Sequence, residues 1–153
     1  MAKTLIDAHG NEITAGATIG SFVRDTGFAT WNRYAAVNDE FVPIHMDDTA
    51  GAEAGMSGAF GMGNLQLSYL HNLVRDWMGD AGRIEKLSVQ FRKPNTKGVV
   101  TASGTVASVA PGDTGTTVEL ELWTIDAVGD KLAPGAATVV FPGGTAAGDG
   151  EAA

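Results

Sequence analysis

One stretch decides the fold of this chain: Asn64-Leu-Gln-Leu-Ser-Tyr-Leu-His-Asn-Leu-Val-Arg-Asp-Trp-Met78. Its apolar residues recur at the spacing of one helix face, and they are Leu65, Tyr69, Leu70, Leu73, Val74 and Trp77. Because this apolar stripe is broad, the pattern predicts a well-buried helix. Gly79 follows as a typical stop signal, so we expect the helix to end there.

Beyond the helix, the apolar period changes to two, which is typical of strands. Leu87, Val89 and Phe91 alternate with polar residues. The further predicted strands cover 99–109, 116–125 and 136–141, with turns at 111–113 and 126–130. One long helix followed by about four antiparallel strands predicts an α+β fold, in which the helix covers one face of the sheet.

The segment before the helix predicts shorter elements. Residues 1–22 suggest a loop or a short entry strand, because glycine is frequent there. Residues 30–37 are expected to form a short helix with Thr30 as its N-cap. Pro43 ends any helix at that point, and a helical turn follows over residues 47–53.

Composition limits the class of protein. The chain has 153 residues, of which 44% are hydrophobic and 18% charged, as expected of one globular domain. Its net charge of −8 argues against nucleic acid and anionic membranes as partners. The absence of cysteine excludes disulfides and thiol chemistry. We find no signal-like segment or apolar run of membrane length, and we expect a cytoplasmic protein.

The domain is expected to span residues 1–142. Residues 143–153 consist of glycine, alanine, threonine and acidic residues, and they predict a disordered tail.

A possible catalytic stretch lies upstream of the helix: Tyr34-Ala-Ala-Val-Asn-Asp-Glu-Phe-Val-Pro-Ile-His-Met-Asp47. Asp39 and Glu40 precede a proline-braced turn that ends in His45. A carboxylate beside an imidazole can hold and activate one water, so the pattern suggests a hydro-lyase. The simpler alternative is a loop histidine that bonds a backbone carbonyl, next to acids at a solvated helix end.

A cation site is a further option for the same stretch. His45, Asp47 and Asp48 could ligate a metal, but no second spaced histidine motif accompanies them. We therefore expect no metal.

Two other features carry possible binding chemistry. Gly61 and Gly63 lie just before the long helix, where they form a tight turn or present N–H groups to a developing negative charge. Arg92, Lys93 and Lys97 form a basic cluster, which is either a solvated strand end or a contact for phosphates.

These residues together resemble the MaoC-like dehydratases, including the (R)-specific enoyl-CoA hydratases. The stretch 34–47 is similar to the hydratase motif, which is roughly Y/F-A-x-x-S-x-D-x-N-P-x-H-x-D. Residues 54–62 are similar to the segment G-F-x-x-P-I-A-H-G-M, and Phe91-Arg-Lys-Pro94 and Pro134-Gly-Ala-Ala-Thr-Val-Val140 resemble two of the family's strand segments. The similarity covers roughly residues 20–142.

The resemblance implies a hot dog fold, usually dimerised, and reversible addition of water to a trans-2-enoyl thioester. It implies that Glu40 and His45 are catalytic, that Asp39 shares or replaces the role of Glu40, and that the N–H of Gly61 polarises the thioester carbonyl. It implies no cofactor apart from the CoA of the substrate. The side chains expected to contact the acyl chain or CoA are Phe41, Met56, Phe60, Met62, Arg92 and Lys93.

The chain departs from the family pattern at positions that would shape the site. Glu40 replaces Asp, Val42 replaces Asn, Ser57 replaces Pro and Phe60 replaces His. The predicted site is therefore more apolar than is usual. Two alternatives to the hydratase stay open: a non-catalytic hot dog subunit that pairs with an active one, and an acyl-CoA thioesterase. The partner chain is expected to be a second copy or a related hot dog subunit.

Overall fold

The computed structural model describes residues 4–143, so the predicted tail lies, apart from Gly143, outside the described residues. Five strands and three α-helices follow one another in this part of the chain. In order they are β1 (Thr18–Thr26), α1 (Phe28–Asn38), α2 (Asp48–Glu53), α3 (Gly63–Met78), β2 (Arg83–Val89), β3 (Gly98–Gly112), β4 (Gly115–Ile125) and β5 (Lys131–Pro142). Short 3-10 turns cover Pro43–His45 and Gly79–Ala81.

The strands form one antiparallel sheet in the order β1-β3-β4-β5-β2, and α3 packs against four of them. This confirms the predicted α+β architecture. The sequence predicted about four strands, and β1 is the one it left uncertain. β1 pairs with β3, but its register shifts between Thr18 and Ser21, where Gly20 has φ +84°. The glycine that suggested a loop therefore belongs to a β-bulge.

The long helix α3 confirms its predicted bounds to within one residue, and the six apolar residues of its stripe are all buried. Gln66 is buried with them at 1% exposure. Its Oε1 accepts a hydrogen bond from the hydroxyl of Thr124 on β4 at 2.6 Å, and its Nε2 donates to the Lys93 carbonyl at 3.3 Å. A polar residue thus links helix and sheet inside the core, which the apolar pattern could not predict.

The start of α1 differs from its prediction, whereas the start of α2 agrees with it. α1 begins at Phe28 with Gly27 as its N-cap, so the prediction of Thr30 as the cap is wrong. The hydroxyl of Thr30 instead donates to the Asp25 carbonyl at 3.3 Å. The predicted start of the second helical segment is confirmed, because Asp47 caps α2 by accepting the N–H of Thr49 at 2.6 Å.

One hairpin turn lies further along the chain and is tighter than predicted, whereas the loop predicted at residues 126–130 is confirmed. β3 continues through Pro111 and Gly112, and the turn lies at residues 113–114. At the other end, the carboxylate of Asp126 accepts the N–H groups of Val128 and Asp130, which closes the loop before β5. Strand pairing therefore resumes at Lys131, ahead of the predicted start of the last strand at residue 136.

No helix within residues 4–143 is both long enough and apolar enough to cross a lipid bilayer.

Candidate functional site

The turn between α1 and His45 is built by local backbone geometry. Asp39 ends α1 in the left-handed conformation, with φ 53° and ψ 41°. The N–H of Glu40 donates to the Ala35 carbonyl at 3.0 Å, which fixes the chain direction after the helix. Pro43 then starts a single 3-10 turn that ends at His45. The sequence therefore sets both ends of the turn, through a helix cap and a proline.

His45 is buried, at 8% exposure, and its Nδ1 lies 2.6 Å from the carbonyl oxygen of Phe60. Because a carbonyl can only accept, Nδ1 must carry the hydrogen. In the neutral ring Nε2 is then unprotonated and can act as a base. The Phe60 ring packs edge-on against the imidazole, with centroids 5.3 Å apart. The backbone bond that was the simpler explanation of this histidine is therefore present, and it leaves the other nitrogen available.

Glu40 is half-buried and lies close to Tyr34. Burial raises the pKa of the Tyr34 hydroxyl above its ordinary value, and the charge of Glu40 raises it further. No hydrogen bond described for residues 4–143 joins Glu40 to His45. Asp39 is exposed and ends the helix. The shared water between acid and imidazole thus stays a prediction.

The backbone next to His45 leads directly into α3. The N–H of Phe60 donates to the Ile44 carbonyl at 3.2 Å, and the N–H of Gly61 donates to the Asn95 carbonyl at 2.7 Å. Gly61 would therefore polarise a substrate oxygen only by sharing or giving up this bond. The first N–H groups of α3, at Gly63 and Asn64, have no intrahelical partner and no acceptor among the hydrogen bonds described for residues 4–143.

A buried polar cluster surrounds Gly61. Asn95 is fully buried, and its Oδ1 accepts the hydroxyl of Thr26 at 2.9 Å. The indole N–H of Trp31 and the Nδ2 of Asn95 are buried without a partner in the described part of the chain. Such an unpaired donor costs about 1–3 kcal/mol. Sequence reasoning missed this cluster, because Asn95-Thr96-Lys97-Gly98 has the composition of an exposed turn.

The predicted acyl-binding residues lie in different surroundings. Phe60 is half-buried against His45, and Met56 is half-buried nearby in the chain. Phe41 is 58% exposed, as expected of a surface that another molecule could cover. Met62 is 1% exposed and belongs to the hydrophobic core, so it lines no open surface in this structure.

The predicted phosphate contacts are partly neutralised. Lys93 pairs with Asp130 at 3.1 Å. The guanidinium of Arg92 bonds the side-chain oxygen of Gln90, with Nε at 3.0 Å. Of the two predicted phosphate contacts, Lys93 thus has a carboxylate partner among the described residues and Arg92 has none.

The acids after His45 have structural partners. Asp48 accepts the Ala59 N–H at 3.0 Å and pairs with Lys97 at 2.7 Å. The hydrogen bond from Lys97, followed by that from Ala59, lowers the pKa of the Asp48 carboxyl. Asp47 caps α2. Within residues 4–143, no three His, Asp or Glu side chains are grouped as a metal site would require.

The surface clefts described for residues 4–143 lie away from this turn. The largest, about 610 Å³, lies between the N-terminal loop, β1 and α3, where Asp7, His9 and Trp77 contribute to its wall. Four others have volumes of about 100–520 Å³. Glu40 and His45 line none of the five. None of these five clefts therefore surrounds the turn that contains His45.

The fold recurs in solved structures. An (R)-hydratase from A. caviae involved in PHA biosynthesis is 23% identical, with a TM-score of 0.75 over 85% of this chain and 98% of that chain. The R-hydratase PhaJ1 from Pseudomonas aeruginosa is 16% identical, with a TM-score of 0.76 over 87% and 84% of the two chains. A chain of the ChsH1-ChsH2 complex from Mycobacterium tuberculosis is 17% identical, with a TM-score of 0.73 over 84% and 98%.

At these identities the structures show a shared hot dog fold. A comparison with curated protein sequences finds no match. Residues 14–123 match the family described as MaoC like domain, which is more than half of the chain. The chain therefore belongs to the MaoC-like domain family.

Proposed function

We propose that this protein catalyses the reversible hydration of a trans-2-enoyl-CoA thioester to a 3-hydroxyacyl-CoA. Membership of a family named for dehydratases and a fold shared with two R-hydratases support this reaction type. The observation that carries the proposal is the 2.6 Å bond from His45 Nδ1 to the Phe60 carbonyl. It fixes the tautomer in which Nε2 is a free base within a buried, partly apolar setting.

In the proposed mechanism, His45 Nε2 removes a proton from a water molecule. The hydroxide equivalent adds to the β-carbon, and the electrons of the double bond move to the thioester oxygen to give an enolate. The imidazolium then returns its proton to the α-carbon, so that one water is added overall. Glu40 accepts a hydrogen bond from the second O–H of the water, which stays on the added hydroxyl, and its negative charge stabilises the imidazolium.

The developing charge on the thioester oxygen needs hydrogen-bond donors. We assign this role to the free N–H groups at the start of α3, with Gly63 as the first candidate. Gly61 can join them only by sharing the hydrogen that it donates to Asn95. In this proposal Phe60, Phe41 and Met56 contact the acyl chain, and Arg92 contacts a CoA phosphate.

The test distinguishes the role of His45 Nε2 as a base from the hydrogen bond that Nδ1 donates to Phe60. His45→Asn keeps an N–H that can donate to the Phe60 carbonyl but removes Nε2. Its turnover should fall by about 10²–10⁴-fold, the usual contribution of a general base. His71→Asn, at an exposed position on α3, is the matched control and should not change turnover. Hydration is followed by loss of the ultraviolet absorbance of the enoyl thioester. If His45→Asn keeps wild-type turnover, the proposal is wrong.

A non-catalytic subunit is the second candidate. Two observations favour it: no described cleft is lined by Glu40 and His45, and the fold is shared with a chain from a two-component complex. In this case the chain would shape the pocket of a related hot dog subunit.

Assaying the purified chain alone distinguishes the two candidates. Hydration by the single chain excludes a purely structural role, whereas activity that appears only with a second hot dog chain supports it. Measuring free thiol in the same assay detects thioester hydrolysis. We expect none, because hydration leaves the thioester intact.

A further inference from the structure

The peptide group between Phe60 and Gly61 is bonded at both ends. Its carbonyl oxygen accepts the hydrogen of His45 Nδ1 at 2.6 Å. Its N–H donates to the backbone carbonyl of Asn95 at 2.7 Å. Because a peptide group is planar, the direction of its N–H fixes the direction of its carbonyl. The position of the Asn95 carbonyl therefore sets where the imidazole of His45 finds its acceptor.

The two bonds also reinforce each other. A peptide N–H that donates to a strong acceptor polarises the group and makes its carbonyl a better acceptor. The bond from Gly61 to Asn95 therefore strengthens the hold of Phe60 on His45 Nδ1–H. This gives the engaged N–H of Gly61 a role in the site without any contact to substrate.

The side chain of Asn95 holds its own backbone in place. Asn95 is 0% exposed, in the connection between β2 and β3. Its Oδ1 accepts the hydroxyl of Thr26, at the end of β1, at 2.9 Å. The same hydroxyl also lies 3.1 Å from the Thr96 carbonyl and 3.0 Å from the Gly98 carbonyl. The connection is thus tied to the edge of the sheet at the point where it meets Gly61.

Gly61 is enclosed on its other side. A Cβ added to it would lie 2.6 Å from Trp31 Nε1 and 3.0 Å from Asn95 Nδ2. Both of these donors are buried and have no partner within the described residues. A cluster that leaves buried donors unpaired does not maximise stability, and such groups call for another explanation. The same two groups leave no space beside Gly61 for a side chain.

We propose that Asn95 is a positioning residue, which holds the Phe60–Gly61 peptide and through it keeps His45 in the tautomer with a free Nε2. The catalytic consequence rests on the proposed hydratase function, whereas the effect on the tautomer does not.

The experiment measures the tautomer of His45 by long-range ¹H–¹⁵N correlation in protein labelled at its three histidines. His45→Asn assigns the signal. In the wild type we expect Nδ1–H with an unprotonated Nε2. Thr26→Val removes the hydroxyl that anchors Asn95, and Asn95→Val removes the amide. In both variants we expect a mixture of tautomers, and a kcat at least tenfold lower with KM changed less than threefold.

Two further variants serve as controls. Thr26→Ser restores the hydroxyl and should restore the wild-type tautomer and kcat. Thr138→Val removes a threonine hydroxyl that bonds Glu119 on the sheet, away from the cluster, and should change neither. Thermal unfolding of each variant shows that it is folded under the conditions of the assay.

Three results would overturn the positioning role. The first is a wild-type His45 that carries its hydrogen on Nε2. The second is a wild-type tautomer in both Thr26→Val and Asn95→Val. The third, which needs no variant to fold, is hydrogen exchange of the wild-type Gly61 amide as fast as that of the exposed loop at 126–130. If the tautomer responds as expected but no variant or wild type hydrates enoyl-CoA, the positioning role stands and the proposed function fails.

Discussion

Glu40 owes its position to the conformation of a single neighbour. Asp39 takes the left-handed conformation, with φ 53°, and this turns the chain so that Glu40 becomes half-buried near Tyr34. The family pattern has an Asp where this chain has Glu40, so the carboxylate extends one methylene further. In the proposed mechanism this difference matters, because catalysis is sensitive to displacements of about 1 Å.

Glu40→Gln should lower turnover by about 10²-fold or more, because the neutral amide is a weaker hydrogen-bond acceptor for the water and has no charge to stabilise the imidazolium. Asp39→Asn should leave turnover within a few-fold of the wild type, because Asp39 is exposed and asparagine tolerates the left-handed conformation. Steady-state hydration of an enoyl-CoA measures both. The opposite order of effects would show that Asp39 is the functional acid.

A structural control accompanies this pair of variants. The charge of Glu40 contributes to the raised pKa of Tyr34, so Glu40→Gln should lower the pKa of Tyr34 towards its ordinary value of 10.0. The chain has two tyrosines, which keeps an ultraviolet titration of tyrosinate simple to assign. An unchanged pKa of Tyr34 would show that Glu40 does not face it.

Gly61→Ala should destabilise the fold by about 1–3 kcal/mol, since overpacking of this size forces a shift of buried atoms. The new methyl group would meet Trp31 Nε1 at 2.6 Å and Asn95 Nδ2 at 3.0 Å. The matched control is Gly143→Ala, where the nearest atoms lie at 3.4 Å and the residue is exposed. Urea unfolding gives both free energies. Equal stability of the two variants would mean that the cluster around Gly61 is loose.

α3 is fixed to the sheet by a polar contact as well as by its apolar stripe. The stripe sets which face of α3 is buried, but it leaves the helix free to slide or rotate slightly against the strands. The buried bond from Thr124 to Gln66 removes that freedom, because it joins one atom of the helix to one atom of β4. The start of α3 beside His45 is then held in a defined position.

Thr124→Val should cost about 1–3 kcal/mol of unfolding free energy, because it leaves Gln66 Oε1 buried without a donor. Gln66→Leu combined with Thr124→Val should cost less than the sum of the two single changes, since both partners of the Thr124–Gln66 bond are then removed together. The Lys93 carbonyl loses the Gln66 donor in the single Gln66→Leu variant and in the double variant alike. Chemical denaturation of the two single variants and the double variant measures this coupling. Strict additivity would show that the hydrogen bond is absent in solution.

The two tyrosines of the chain make its stability depend on pH in the alkaline range. Burial raises the pKa of Tyr69 to about 12, and the nearby charge of Arg24 lowers it slightly. The pKa of Tyr34 is also raised. In the unfolded chain both hydroxyls release their protons near pH 10, as tyrosine does in water. Between about pH 10 and 12 the unfolded state therefore binds fewer protons than the folded state, and stability falls as pH rises.

Tyr69→Phe should shift alkaline unfolding to higher pH, because it removes the more strongly raised of the two tyrosine pKa values. At neutral pH it should leave stability unchanged or raise it by up to about 1 kcal/mol, since the Tyr69 hydroxyl is buried without a partner in the described structure. Tyr34→Phe, at a half-buried position, should have the smaller effect at high pH. Circular dichroism against pH records both. A loss of more than about 1 kcal/mol at neutral pH would reveal a partner for the Tyr69 hydroxyl.

Local sequence patterns are enough to predict the main helix, the strands and several helix ends of this protein. The apolar stripe of α3 and the two-residue alternation after it predict a helix packed on an antiparallel sheet, because periodicity decides which face an element buries. Gly79 and Asp47 mark helix ends through backbone effects that act within a few residues. The candidate catalytic stretch could be proposed for the same reason, since its histidine and acids are close together in sequence.

Only the tertiary structure decided the contacts between distant segments. Asn95 bonds Gly61, and Thr124 bonds Gln66, although the partners lie far apart in the sequence. No periodic pattern of residues predicts such contacts. Lys93 and Lys97, expected at a phosphate, turn out to pair with acids from other parts of the chain. Hydrogen bonds and ion pairs depend on positions set by the packing of the whole fold. Sequence therefore fixes which groups are present and which elements they form, while packing decides which groups meet.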